Sequence, residues 1–528
     1  MRHLLLSRME QIIVKTNDIS SNSKENIKDS SAEIERLHLL LNESINKLDN
    51  ILKKFDGAEI IKEIYRSGLA YDEGNSRSSN RLPPAFGRSN IIKIERLAIL
   101  KEKGRCIPTT DDMVSIHKAA SQVLELDALY EIGMVSSKYE NGRDIGYIKF
   151  TDNKNCAIPE YVPGKIDIFE YIYCKNSRNH NDSQYDKDMF QRILKSNNWV
   201  EEYGLKGVSD SLQQDKYFGF SLSNLISALL RALKIIGRKD LQEMSLELFY
   251  SKMLNGNKSK SLKNAIQYLM YPPRKIDLDI AKMRPNGTRH QPARLVTQPF
   301  LVYNNKVYLN GNIILHSITR WMRYMVNGDW PIPESIRSSN FLRLNESLKE
   351  YRNTYNLGRG KMFEKYFQDS IKELNIIPWV QVKKGYKFEN SCVKMRREVD
   401  SFVVDYAKSE IWVLDMKDNI SDQNALSIYH QLQDIHTYNE KLKITVDDIS
   451  DSKCALTHFS CDIVNLWAKN EKIDKNISDS ILQEVRDVKD WNIRRGIIIR
   501  DQHPGEFIND ELSPKIMRPD SFISYLLK

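Results

Sequence analysis

Three charged residues with the spacing of one strand face carry the chemistry legible in this chain. Asp415 and Lys417 lie two apart in Ile411-Trp412-Val413-Leu414-Asp415-Met416-Lys417, and Asp400 sits upstream in Arg397-Glu398-Val399-Asp400-Ser401-Phe402-Val403-Val404. Both runs are apolar and β-branched, as strands are, and the polar Tyr406-Ala407-Lys408-Ser409 between them suits a hairpin turn. Centring the turn there makes Asp405 face Glu410. Counting back along both strands sets Val404 opposite Ile411, Phe402 opposite Val413, Asp400 opposite Asp415 and Glu398 opposite Lys417. All share one face, because strand side chains alternate with a period of two. Directly opposed carboxylates, about 5 Å apart at Cβ, repel unless something neutralises them. A divalent cation does so. Mg²⁺ takes one or two carboxylates together with water and phosphate oxygens, polarises a phosphoryl group and activates water. A lysine two residues further on, about 7 Å along the same face, stands where an ammonium orients the attacking water or meets developing negative charge. The expected chemistry is phosphodiester hydrolysis with Mg²⁺, and Mn²⁺ as a substitute.

These residues resemble the PD-(D/E)XK, or restriction-endonuclease-like, nuclease superfamily. The match rests on Asp400, on the Asp415-Met416-Lys417 triplet and on Gly360-Lys361-Met362-Phe363-Glu364 opening the preceding helix, and it covers roughly residues 345–528. The resemblance implies an α/β fold with a restriction-endonuclease-like mixed sheet flanked by helices. It implies Asp400, Asp415 and the helix carboxylate Glu364 as metal ligands, and these three with Lys417 as the catalytic set. It also implies a polar side chain from the helix after the hairpin, either Gln431 or Gln433. Two departures stand out: Val399, not proline, precedes Asp400, and the second acid is Asp where Glu is commoner. By analogy the activity is a deoxyribonuclease or endonuclease of bacterial restriction or antiviral defence. The alternative is a noncatalytic nucleic-acid-binding or assembly module on the same fold. An Asp-x-Lys triplet also occurs at ordinary strand ends, Glu364 in a first helical turn is also favoured by the helix dipole, and Glu398 is placed to pair with Lys417.

Charge points to an anionic partner. The chain carries 79 Lys and Arg against 70 Asp and Glu, a formal +9, and the excess is concentrated next to the acidic pair. Lys383, Lys384, Lys387, Lys394, Arg396 and Arg397 precede Asp400 with only Glu389 opposing them. A phosphate backbone entering the site meets this run, so Lys383, Lys384, Lys387, Arg396 and Arg397 are the expected contacts to DNA, with a solvated charged face as the plain alternative. No GxxxxGK[ST] loop, helix-turn-helix or zinc-finger signature accompanies them.

The six cysteines show no CxxC pairing, and Cys454, His458 and Cys461, which do cluster, lack a fourth zinc ligand. Their scatter fits reduced thiols. With no apolar run of membrane-spanning length and too short an apolar core after Met1 for a signal peptide, the expected setting is cytoplasmic, without a membrane.

The elements divide into a mainly helical region over 1–160 with a mobile N-terminal segment, a mixed helical and β region over 161–340 with a recognition or regulatory role, and the nuclease-like domain over 341–528. Ile34, Leu37, Leu41, Leu48, Ile51 and Phe55 follow a heptad-like seam that Ser44 interrupts. It is expected to pack within the chain, with a protein partner or a second copy as the alternative. Residues 73–92 read as a loop, and 94–102 and 112–131 as helices. Gly146–Phe150 reads as a strand, and Leu222–Ile236 as a helix capped by Ser221. Phe300–Tyr303 and Lys306–Leu309 read as a hairpin turned at Asn304-Asn305. Further on, Ile313–Val326, 343–355, Phe363–Leu374 and Ala425–Leu442 read as helices, and Trp379–Val382 and Gly496–Arg500 as strands. Asp520 is the expected cap of a final helix. The polar Asn176–Asp188 loop and the basic Arg284, Arg289, His290 and Arg294 segment complete the pattern.

Overall fold

The computed structural model describes residues 29–75, 84–171, 209–272, 295–321 and 360–528, less a few short interruptions. The Asn176–Asp188 loop, the Arg284–Arg294 segment and the helix expected at 343–355 lie outside the described residues. The chain is mixed α/β and divides into two compact units. Among the described residues, the first takes in those from 29 to 164 and from 209 to 321, and the second those from 165 to 171 and from 360 to 528.

In the first unit, helices α1 (Asp29–Leu52), α2 (Gly57–Asn75), α3 (Pro84–Ile99) and α4 (Thr110–Lys138) share one apolar core. The seam of α1 buries Leu41, Ile45, Leu48 and Leu52 in that core with Ile116, Ala120 and Val123 of α4, so it packs within the chain. Ser44 does not break it; the side chain is buried in the same stripe. The loop expected over 73–92 is corrected at both ends: α2 runs to Asn75, and Pro84 opens α3. Proline suits a first helical turn, where its missing N–H has no partner to lose, and Ile92, Ile94 and Leu97 then anchor the helix. Strands β1 (Tyr147–Asn153) and β2 (Cys156–Val162) form an antiparallel hairpin.

Helix α5 (Leu222–Ile236) starts at the expected Ser221, whose hydroxyl caps Asn224 in a reciprocal box. A four-stranded sheet follows, built from β3 (Gln242–Ser245), β4 (Met270–Tyr271), β5 (Phe300–Tyr303) and β6 (Lys306–Leu309) in the order β3-β6-β5-β4. Helices α6 (Leu246–Leu254) and α7 (Lys260–Tyr268) are capped by Ser245 and Ser259. The β5–β6 turn places Asn304 and Asn305 at φ 49° and 58°, the left-handed pair that a two-residue hairpin turn demands. Strand β3 had no signal in the sequence, because Gln-Glu-Met-Ser lacks alternation.

The second unit holds the acidic pair. Helix α8 (residues 363–372) leads into β7 (Trp379–Val382), β8 (Val399–Asp405) and β9 (Glu410–Lys417), which are antiparallel; β10 (Asn492–Ile499) and β11 (Lys515–Met517) then add in parallel, giving the order β11-β10-β9-β8-β7. The β8–β9 register is the expected one: Asp405 faces Glu410, Val404 faces Ile411 and Phe402 faces Val413. One sheet face buries Val403, Trp412 and Leu414 against Phe363 and Phe367 of α8 and Phe522 of α12 (Pro519–Leu526). The other face sets Phe402 edge-to-face on Phe459 of α10 (Leu456–Glu471). It also sets Lys417 beside Tyr438 of α9 (Ala425–Ser450). Gly496 of β10 pairs with Leu414, and a Cβ there would come within 2.8 Å of the Leu414 side chain.

Helix α9 runs a further two turns past Leu442, and α10 with α11 (Lys475–Asp487) was not anticipated. Asp520 is not the cap of α12: Arg518 holds that position, and Asp520 lies in the first turn after Pro519. Ile166, Ile168 and Tyr171 also belong to this unit; Tyr171 is fully buried, edge-to-face on Phe507. Among the described residues, no helix is long and apolar enough to cross a membrane.

Candidate functional site

The β8–β9 ladder pairs residues from Asp405 and Glu410 out to Ser401 and Leu414, and one step beyond lie Asp400 and Asp415. Asp400 Oδ2 accepts the Met416 N–H at 2.7 Å. Asp415 Oδ1 accepts the Lys417 ammonium at 2.6 Å, and the same ammonium stands 3.9 Å from Asp400 Oδ2. The two strands thus bring both carboxyls and the lysine to one spot, because Asp415 and Lys417 share a face of β9 and Asp400 meets them from β8.

Electrostatics polarise the pair. Burial pushes the Asp400 carboxyl up to about 7, and contact with Asp415 adds to the rise. Asp415 goes the other way: burial opposes its ionisation, but the Lys417 charge, the hydrogen bond with Asp400 and the Arg397 charge hold it below the usual carboxylate range. Burial opposes the Lys417 charge too, yet the carboxylates outweigh it and raise the ammonium above its ordinary value. The pair therefore resists carrying two negative charges, and Asp400 is the member that takes up a proton more readily. Asp415 Oδ2 is buried and receives no hydrogen bond from any amide, amine or hydroxyl among the described residues, with Arg397 Nη2 4.0 Å away.

Glu364 stands at the start of α8, on the helix that covers the Trp412 face. Burial raises its carboxyl; after burial the strongest influence is Lys417, followed by Glu398 and Asp415. It lies within electrostatic reach of the pair, at the end of the sheet where the strands stop. Among the described residues, no group of three or more His, Cys, Asp or Glu side chains is placed to hold a metal ion. Asp400 and Asp415 touch, but Glu364, expected as a third ligand, is not grouped with them and acts on the pair only through its charge.

The donor set fits a hard dication: two buried carboxylates that touch, and an Asp415 Oδ2 that receives no hydrogen bond from any amide, amine or hydroxyl among the described residues. Mg²⁺ needs no more than one or two carboxylates, since water and phosphate oxygens complete its shell.

The basic residues differ in what holds them. Lys383, Lys384 and Lys387 are exposed on a small hairpin closed by Gly385 N–H to Met395, Met395 N–H to Tyr386 and Phe388 N–H to Val393. Gly385 sits at φ +84°, a turn conformation that favours glycine. The far end of the hairpin is pinned to α10, where Asp462 accepts the Asn390 and Ser391 backbone N–H groups. Arg396 is taken up differently: its backbone N–H and guanidinium both reach Asp448 of α9, and Nη2 donates to the Ile444 carbonyl. It ties the hairpin to α9. Arg397 turns inward to Asp415.

Three residues of this site escaped the sequence reading. Tyr438 places its ring 5.1 Å from the Lys417 ammonium; its signal was helical spacing, since it stands seven residues after Gln431 and so shares that face of α9. Asp448 and Asp462 had no local signal, because their partners lie 52 and 72 residues away. Compared with protein-family models, curated proteins and solved structures, the chain matches none.

Proposed function

We propose that the second unit is a restriction-endonuclease-like, metal-dependent nuclease that hydrolyses phosphodiester bonds in DNA, in the setting of bacterial restriction or antiviral defence. One observation carries this reading: Asp400 and Asp415 are in contact across β8 and β9 with the Lys417 ammonium 2.6 Å from Asp415. A buried carboxyl pair destabilises a fold unless something is gained from it, and binding of a dication is that gain.

Asp400 and Asp415 would hold Mg²⁺, or Mn²⁺ in its place, with Glu364 near enough to add charge. When bound, the ion polarises the phosphoryl group and lowers the pKa of water. The chain's own residues do the rest. The Met416 N–H keeps the Asp400 carboxylate oriented. Lys417, fixed by Asp415 and the Tyr438 ring, presents a cation where negative charge grows on the phosphate. A water oxygen bonds to phosphorus and one ester P–O bond breaks; one water proton ends on the released alcohol and the other stays on the phosphate product. Lys383, Lys384 and Lys387 meet the DNA backbone away from the reacting centre.

The test is cleavage of plasmid and short duplex DNA by the full chain with Mg²⁺, Mn²⁺ or chelator. Cleavage is expected only with metal, and Asp400→Asn or Asp415→Asn should each lower it by two or more orders of magnitude, about 2.7 kcal/mol of barrier. Wild-type rates in both variants would favour a noncatalytic nucleic-acid-binding or assembly module.

A further inference from the structure

Arg397 has an arrangement that its five neighbours in the basic run lack. Its side chain is 21% exposed, against the open positions of Lys383, Lys384 and Lys387. Nε donates to the Glu398 carbonyl at 3.1 Å, which sets the plane of the guanidinium. Nη2 faces Asp415 Oδ2 at 4.0 Å, too far for a hydrogen bond, and Nη1 is buried with no hydrogen-bond partner among the described residues. A mostly buried cation with an unused donor is costly. A guanidinium held this way is half of a fork: Nη1 is an unused donor among the described residues, and Nη2 beside it stands off from Asp415 without hydrogen-bonding it.

The position names the acceptor. Lys417 already hydrogen-bonds Asp415 Oδ1, and Arg397 stands 4.0 Å from the other oxygen without closing that contact. A dication between Asp400 and Asp415 would repel it further and turn it toward an anion bound on that dication. Two acceptor oxygens at one tetrahedral centre suit a two-pronged guanidinium, whereas an ammonium meets them as a point charge. We infer that Arg397 grips the non-bridging oxygens of the scissile phosphate, and is thus a catalytic residue distinct from the basic hairpin that holds the DNA backbone. This rests on the nuclease reading above. A guanidinium there meets negative charge that is greatest in the transition state, so its removal should show in turnover more than in affinity.

The test uses the full chain with Arg397→Gln and Arg397→Lys, beside Asp400→Asn. Three quantities are measured: steady-state cleavage of a 20-base-pair duplex with Mg²⁺, Mn²⁺ affinity without DNA, and the salt dependence of duplex binding in Ca²⁺. Arg397→Gln should lower kcat about a hundredfold with KM within a few-fold, and Arg397→Lys should recover part of the loss. Mn²⁺ affinity should hold or rise, because a neighbouring cation has gone, and the salt slope of binding should fall by about one. Arg397→Gln with wild-type kcat, while Asp400→Asn is inactive, overturns this assignment alone. A loss of Mn²⁺ affinity or of melting temperature in step with the rate also overturns it, since Arg397 would then be only the counter-ion of Asp415. Asp400→Asn cleaving as wild type overturns the nuclease reading and this inference together.

Discussion

Replacing Asp400 by Asn should make the metal-free protein more stable, and by an amount that depends on pH. The carboxyl is largely buried, accepts the Met416 N–H and touches Asp415. Asn has the shape of the protonated acid: its carbonyl can keep the Met416 bond and its amide can donate to Asp415. The variant therefore imitates the protonated pair at every pH. Raising a carboxyl from its ordinary 3.8 to about 7 sets about 4 kcal/mol against its ionised form in the fold. Because the folded value lies above the unfolded one, the stability from protonated Asp400 is whole below about pH 4. It is lost progressively as the pH climbs to about 7 and changes little above that. The Asn variant escapes this loss, so its advantage should be small at pH 4 and grow to a plateau of about 2–4 kcal/mol by pH 8. Urea unfolding of both full-length proteins in chelator, from pH 4 to 8, measures it. With saturating Mn²⁺ the order should reverse, since only the wild type gains binding energy. An Asn variant less stable than wild type at pH 8 in chelator, or a difference that does not vary with pH, would refute the account of Asp400 as a carboxyl whose ionisation burial and Asp415 oppose.

Changing Lys383, Lys384 and Lys387 together to Gln should weaken duplex binding and lower its salt slope by about two to three; an unchanged slope would make the hairpin an ordinary charged face. Burial pulls the His503 imidazole down to about 4, and its Nδ1 accepts the Gly505 N–H at 3.1 Å. The fold should therefore lose up to about 3 kcal/mol as the pH falls from 6.5 to 4, relative to His503→Asn, which cannot take up the proton. Parallel urea midpoints for the two proteins over that range would sink this. Tyr171→Ala should cost the second unit about 3–5 kcal/mol by emptying the space against Phe507. Calorimetry of the full chain reads this, and a fragment beginning near residue 340, which lacks the ring altogether, should melt lower still; unchanged melting would show that the segment only rests on the unit.

The β8–β9 hairpin, its register and the meeting of Asp400 with Asp415 were determined by the sequence itself. The reason is local: alternation assigns faces, a four-residue turn sets the count, and once Asp405 faces Glu410 the pairs out to Ser401 and Leu414 follow. The same holds for Ser221 as a cap and for the Asn304-Asn305 turn, where the deciding contacts lie within a few residues. The tertiary structure decided what the charges are for. Six basic residues in a row look alike in sequence. Packing separates them into exposed lysines on a hairpin, an Arg396 spent on Asp448 and an Arg397 turned toward Asp415. The side that Tyr438 presents to Lys417 depends on how α9 crosses the sheet. The place of Tyr171 beside Phe507 depends on a contact spanning more than 300 residues. Such long-range contacts leave no periodic trace in the chain, because each is a property of two surfaces and not of either segment alone.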